Sequence, residues 1–467
     1  MIGIKSFGVY LPRLRLSREM IAKEWDRDSA GGEKAVANFD EDSATLAVEA
    51  MLNCMAGRAL DQVTALFFAS TTPPYREKQT ATLLATVADL PRSTRTVDFG
   101  DSLRAGTQAL RAALDAVHSG SAKSALAAAG ECRLAEPDSD LELNFGDAGA
   151  AILIGPDPIA ALEPVAALCD EFLGSWRASG DQFVKEFSAA FSLKAGYTRV
   201  MGEALKAALK ATGKEPSDFT KVALAAPNPR ASAGVLKAAG FDSKQAVDSL
   251  YNQIGDTGSV QPFLLLAAFL EQAKPGETLL LLAYGDGADA LLVTATDQVA
   301  AARPRRGVSY YLETKKLLKS YGKYLRYREL YSKEENAADE SSAVVLWRET
   351  RQNLALCGVR CKKCGTVQYP KQRVCFICQA KDEFDEVKMS RRGAVFTFTH
   401  DHLVETPDPP TTMTVVEFEG GGRLYCRMTD SEPDEVRVGM PVEMTLRLLH
   451  RGRGFNNYFW KCRPVRE

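Results

Sequence analysis

The stretch "FGDAGAAILIG", residues 145–155, is echoed further along the chain by "YGDGADALLVT", residues 284–294. Both set Gly-Asp and small residues ahead of an apolar run, the pattern of a buried strand packed closely against a neighbouring helix. Upstream of each lies a helical pattern opening on an aspartate, Asp101 in one copy and Asp256 in the other. This recurrence predicts an internal duplication, two similar α/β halves stacked in layers. Other runs fit the plan as buried strands: "ALFFAST" (65–71), "SALAAAGE" (124–131), "KVALAAP" (221–227) and "TLLLLAYG" (278–285). Between them, "RAGTQALRAALDAVHSG" (104–120) and "SVQPFLLLAAFLEQAKPG" (259–276) have helical periodicity. The halves are expected at residues 1–165 and 166–332.

At 467 residues the chain can hold several cores. With 58 basic and 60 acidic residues, it has no overall field favouring nucleic acid or a membrane surface. No apolar run approaches the roughly 18 residues of a spanning helix. The start, "MIGIKSFGVYLP", reads as a strand, not as a signal peptide. Ten cysteines in so long a chain, four of them clustered in one short window, do not suggest a disulfide scaffold and point to a reducing cytoplasm.

Residues 303–333 are basic and tyrosine-rich, and "EENAADESS" (334–342) has linker composition, so a linker is expected at 333–346. From about 388 the helical pattern gives way to strand-like runs: "GAVFTFTHDHL", "TTMTVVEFEG", "RLYCRMT", "VEMTLRLLH" and "NNYFWKCRPV". They predict a small five-stranded OB barrel over 388–467. Just before it, within 347–387, "CKKCGTVQYPKQRVCFICQ" holds Cys361, Cys364, Cys375 and Cys378 as two CxxC knuckles. Two such turns offer four thiolates to one tetrahedral ion and leave no open position, the pattern of a structural zinc. The six isolated cysteines, Cys132 among them, read as small packed hydrophobes.

Residues 347–467 resemble the acyl-CoA-associated OB-fold family with a rubredoxin-like zinc ribbon. The likeness lies in "WRETRQNLAL" (347–356), the knuckles, "GAVFTFTHDHL" (393–403) and "FNNYFWKCRPV" (455–465). It implies attachment to thiolase-type enzymes and accommodation of coenzyme A. Residues 1–332 resemble the thiolase superfamily, most closely its 3-hydroxy-3-methylglutaryl-CoA synthase branch. The residues that carry this are "VDFGDSLRAGTQAL" (97–110), "SWRASGD" (175–181), "APNPRASAGVLKAAGF" (226–241) and "IGDTGSVQPF" (254–263), with the repeated Gly-Asp strands.

The synthase resemblance implies a cysteine nucleophile in a strand-to-helix turn, a histidine, a glutamate acid/base and a helix-opening asparagine. Matching on Val97–Asp98 and Gly106–Thr107 puts Leu103 at the cysteine. Matching on Asn228 and Arg230 puts Ala225 at the histidine, and matching on Pro74–Tyr75 puts Thr71 at the glutamate. Asp256 stands for the asparagine. All four positions depart from the pattern. Of four histidines only His118 precedes residue 345, at a helix end where it favours the helix C-terminus. Leucine can neither attack a thioester nor take a proton.

The residual candidates are Ser102, a hydroxyl with no base nearby in sequence, and Asp256, a base or a helix N-cap; Asp101 has the same N-cap reading. The reading that follows is a non-catalytic or chemically rewired synthase-like subunit fused to a zinc-ribbon/OB module. It would act in an acyl-CoA complex that makes or cleaves C–C bonds, as a homodimer or a hetero-oligomer with a thiolase-type partner, with a coenzyme A thioester as ligand. The alternatives are an acyl-CoA acyltransferase or lyase using Asp256 or Ser102, and a nucleic-acid-binding ribbon/OB protein supported by the 303–333 segment.

Overall fold

A computed structural model of the chain describes residues 1–29, 31–227, 229–300, 304, 306–331 and 341–466. Asn228 and residues 333–340 of the expected linker lie outside the described residues. The chain forms two compact units. The first comprises Met1–Ala37, Asp42–Ala85 and Leu90–Tyr324. The second comprises Leu325–Glu467 together with the short segments Asn38–Glu41 and Thr86–Asp89.

The first unit is built on strands β1 (Ile2–Tyr10), β2 (Val63–Ala69), β3 (Arg95–Phe99), β4 (Ser124–Glu131) and β5 (Ala148–Pro156). Strands β6 (Ala160–Cys169), β7 (Lys221–Leu224), β8 (Thr278–Tyr284) and β9 (Gly287–Ala295) complete it. The main helices are α1 (Ser43–Cys54), α2 (Ala105–His118), α3 (Arg199–Thr212) and α4 (Gln261–Gln272). The nine strands form one sheet in the order β7-β8-β9-β6-β1-β5-β4-β2-β3.

That order shows the duplication directly. Outward from the centre, β6, β9, β8 and β7 mirror β1, β5, β4 and β2. The hairpin pairs match in sense, with Ala127 antiparallel to Ile152 in one half and Leu281 antiparallel to Leu291 in the other. The outer pairs match too, since β2 runs parallel to β4 and β7 parallel to β8. Helices α1 and α3 precede the equivalent strands β2 and β7, while α2 and α4 precede β4 and β8.

The echoed stretches become β5 and β9, in equivalent places. Their glycines have a steric cause: a Cβ on Gly149 would overlap the Leu46 carbonyl of α1, and one on Gly287 would overlap the Leu168 carbonyl of β6. Every residue of β4 is buried, as an apolar run covered on both faces requires. Helix α4 is buried on nearly all sides, consistent with its nearly unbroken apolar sequence.

The aspartate openings need correction. Helix α2 begins at Ala105, with Arg104 at its cap and no side-chain cap bond; Asp101 is exposed, at a left-handed φ of 66°. The Asp101–Arg104 turn intervenes, so the carboxylate lies too far back to reach the first amides. Asp256 keeps part of the role. Its Oδ1 accepts the Gly258 N–H at 2.9 Å, where a short 3₁₀ turn, Gly258–Val260, leads into α4.

Four tyrosines of the basic segment face inward, whereas Tyr331 is exposed. In the first unit Tyr311, Tyr321 and Tyr324 are buried, with Tyr311 edge-on to Tyr10 and Tyr321 bonded to Glu142. In the second unit Tyr327 is buried edge-on to Phe39. These rings are core, not a platform on which bases could stack.

In the second unit, β10 (Cys357–Cys361), β11 (Val367–Gln368) and β12 (Phe384–Lys388) form a small sheet that frames the knuckles. Strands β13 (Arg392–Asp401), β14 (Thr411–Phe418), β15 (Arg423–Arg427), β16 (Pro441–Gly452) and β17 (Phe455–Pro464) form an antiparallel sheet in the order β15-β14-β13-β16-β17. A bridge between Met428 and Cys462 brings its two edges together, making the OB barrel.

Inside this unit Arg447 meets Asp40 at 2.9 Å, Glu41 at 2.9 Å and Asp430 at 2.7 Å, and Lys461 meets Asp40 at 2.8 Å, all buried. Burial alone would raise the Asp40 pKa, but Lys461 and Arg447 hold it below the ordinary carboxylate range.

One test probes the centre of the first unit. A Cβ on Gly106 in α2 would overlap the Ser259 carbonyl oxygen, a backbone atom that cannot swing aside. Gly106→Ala is expected to cost about 2 kcal/mol by overpacking, read as a lower urea midpoint with unchanged slope. Wild-type stability in this variant would show the contact to be soft.

Candidate functional site

A cavity of about 1060 Å³ lies wholly within the first unit. Its walls come from chain that has just left strands β2, β3, β4, β7 and β8, so it sits at their carboxyl ends, where open α/β sheets bind ligands. Thr71, Ser102, Leu103, Ala225 and Asp256 all line it. The fold thus brings together every position singled out in the α/β part as a candidate or replaced site residue. It leaves out Cys132, which is half-buried with its N–H on the Thr72 hydroxyl at 3.0 Å, and His118, exposed in the last turn of α2.

Leu103 is wedged between two glycines. A Cβ on Gly285 would stand 3.0 Å from its Cβ, and one on Gly258 would stand 3.5 Å from its Cδ2. Gly258 has a φ of 57°, the left-handed region glycine tolerates best. Among the described residues lining the cavity there is no cysteine and no histidine. The Ser102 hydroxyl accepts the Arg104 N–H at 3.3 Å, a local turn bond. Asp256 is committed at both oxygens, to Gly258 and, at 3.2 Å, to Arg133. Two tyrosines, Tyr197 and Tyr284, also line the cavity, and burial raises the pKa of the Tyr284 phenol to about 12.

Sequence reasoning missed two residues here, Glu131 and Arg133. Glu131, at the end of β4, is fully buried. Its Oε1 accepts the Thr71 N–H at 2.8 Å and the Ser259 hydroxyl at 2.6 Å. Its Oε2 accepts the hydroxyls of Thr71 at 3.1 Å and Thr72 at 2.9 Å. Thr71 therefore stands beside a carboxylate supplied by another strand. The available signal was a glutamate closing an otherwise apolar strand, "SALAAAGE". Arg133, two residues on, packs its guanidinium 3.9 Å from the Phe145 ring centre.

The second unit holds a separate cluster. The sulfurs of Cys361, Cys364, Cys375 and Cys378 all lie within 4.8 Å of one another. Cys361 to Cys378 and Cys364 to Cys375 are both 3.6 Å. Four sulfurs at about 2.3 Å from one tetrahedral ion would stand about 3.8 Å apart, so the donor set fits such a metal.

The mirrored sheet with a cavity at its strand ends defines a thiolase-type fold, here followed by an OB barrel. The domain family described as "ChsH2, C-terminal OB-fold domain" matches residues 386–447. The hydroxymethylglutaryl-CoA synthase of Methanosarcina mazei is 31% identical over 342 residues, 70% of this chain and 98% of that protein. Two solved structures share the fold. MvaS in complex with 3-hydroxy-3-methylglutaryl coenzyme A has a TM-score of 0.64 at 18% identity, over 73% of this chain and 94% of that one. An HMG-CoA synthase complexed with CoA has a TM-score of 0.63 at 18% identity, over 70% and 89%. The chain belongs to the hydroxymethylglutaryl-CoA synthase family.

The bonds around Glu131 give a test. Glu131→Ala strands two threonine hydroxyls, a serine hydroxyl and a backbone N–H around a small void. The expected loss is about 3 kcal/mol in chemical unfolding, with Glu131→Gln losing less. Equal, negligible losses in both would mean the carboxylate is not structural.

Proposed function

We propose that this chain is an acyl-CoA-binding subunit of the synthase fold that does not itself carry out cysteine-dependent condensation. Its zinc-ribbon/OB module joins it to a thiolase-type partner that supplies the chemistry of C–C bond formation or cleavage. The observation that carries the reading is Leu103, an inert side chain wedged between Gly258 and Gly285 at the wall of a large cavity. The family's nucleophile matches to that position. Ala225 and Thr71, matched to the family's histidine and glutamate, line the same cavity and offer neither a base nor a carboxyl acid. The relatives' structures with CoA and HMG-CoA favour a CoA thioester as ligand. The Cys361–Cys364–Cys375–Cys378 set would hold zinc in a closed, structural site. The cavity and the fold are kept for binding and assembly, and the protein works in the cytoplasm as a homo- or hetero-oligomer.

Two measurements test this. Purified protein incubated with acetyl-CoA is expected to show no added acetyl mass, and no condensation of acetyl-CoA with acetoacetyl-CoA. A stable adduct mapped to residues 97–107 would instead make Ser102 a nucleophile. Elemental analysis should give about one zinc per chain, as one closed four-thiolate site requires. Paired Cys361→Ser and Cys375→Ser substitutions should release it and unfold the knuckles. Full zinc retention in that variant would refute the assignment.

A further inference from the structure

Two cysteines far apart in the sequence meet inside the OB barrel. Cys426 lies on β15 and Cys462 on β17, the two outermost strands of the barrel sheet. Their sulfurs share one neighbour, the buried Thr414 hydroxyl on β14, which stands 3.7 Å from Cys426 and 3.1 Å from Cys462. The same hydroxyl donates to the Cys426 carbonyl at 3.0 Å, which fixes its place between the two thiols. Both side chains point into the barrel, Cys426 being 4% exposed and Cys462 fully buried.

The thiols also bond to one another, and this separates their acidities. The bond from Cys462 draws the Cys426 pKa below the ordinary thiol value. Burial, followed by the same bond, pushes Cys462 well above it. One sulfur is thus biased toward thiolate while its neighbour keeps its proton, the arrangement in which the first is oxidised and the second resolves it.

The pair stands where the barrel closes. Strands β16 and β17 are joined by a ladder that runs from Val442 opposite Pro464 to Gly452 opposite Phe455. At the other edge of β17 the closure is slight. Among the described residues, the backbones there are joined by a single bridge, Met428 to Cys462, with the Thr429 N–H on the Cys462 carbonyl at 2.9 Å. A seam held by so few bonds opens more readily than the ladders around it, and its opening admits a small oxidant to both sulfurs.

We propose that Cys426 and Cys462 are a reversible oxidation site, which a peroxide closes into a disulfide that staples the seam of the barrel. The Cys426 thiolate attacks one peroxide oxygen and the O–O bond breaks, leaving a sulfenic acid; the departing hydroxide takes up the thiol's proton as water. The Cys462 sulfur then displaces the sulfenic hydroxyl, which leaves with the Cys462 proton as a second water. Two thiols and one hydrogen peroxide give one disulfide and two waters, and a dithiol reductant reverses the change. The dithiol is the resting form in a reducing compartment, and the disulfide is transient.

The test treats the full-length protein with hydrogen peroxide, alkylates the remaining thiols in denaturant and maps the unreduced digest by mass spectrometry. A peptide cross-linked between Cys426 and Cys462 is expected, and it should vanish when dithiothreitol precedes alkylation. Amide hydrogen exchange at Thr429 is expected to slow about tenfold in the oxidised protein and to recover on reduction, because the staple holds the seam shut. Cys426→Ser should form no such cross-link and show no slowing; the mapping on the wild-type chain decides the matter even where that variant does not fold. Recovery of both cysteines as alkylated thiols, a sulfinic acid at either one, or cross-links confined to Cys361, Cys364, Cys375 and Cys378 overturns the proposal. A Cys426–Cys462 cross-link that leaves exchange at Thr429 unchanged overturns the stapling role.

Discussion

Where α2 begins, the backbone of Gly106 lies against the Ser259 carbonyl, so close that no methyl group fits between them. Much of the first unit's architecture depends on this contact. It joins the start of α2 from one half to the approach of α4 from the other, the two copies of one repeated element. Only a glycine lets the backbones come so near, and the nearness carries Leu103, Asp256, Gly258 and Gln261 into one cavity wall. Asp289 on β9 strengthens the join, because its buried carboxylate accepts from Thr107 at 2.6 Å and Gln108 at 2.9 Å, both on α2.

The cavity around that join is lined by apolar and charged side chains together. Leu103 and the hydroxyl-bearing Thr71 both line it. A carboxylate is nonetheless present beside Thr71, delivered by Glu131 and fully occupied by four donors. Such a group braces strand ends, tying β4 to the exit of β2. Arg133 is the opposite case, a buried charge with donors to spare.

The second unit solves the problem of a small barrel in two ways. Four thiolates gathered within 4.8 Å can anchor chain that has little core of its own. The buried array of Arg447 and Lys461 with Asp40, Glu41 and Asp430 ties the short segment Asn38–Glu41 to β16 and β17. Breaking one partner would strand a buried charge, so the array specifies where that segment docks more than it adds net stability.

The sequence by itself determined the duplication, the strand runs of both units and the paired knuckles. Each of these is a local pattern: periodicity, spacing or residue type. It misplaced the start of α2, because the Asp101–Arg104 turn is held by contacts with Gly258 and Gly285 from distant parts of the chain. It read the tyrosines of residues 303–333 as possible surface, whereas tertiary packing buries those at 311, 321, 324 and 327. The pairing of Arg447 with Asp40 and Glu41 and the meeting of Glu131 with Ser259 could not be read in advance. Each joins residues more than a hundred positions apart, and only closure of the fold brings them within a hydrogen bond of one another. Residue type told which side chains were available; three-dimensional neighbourhood decided which of them met.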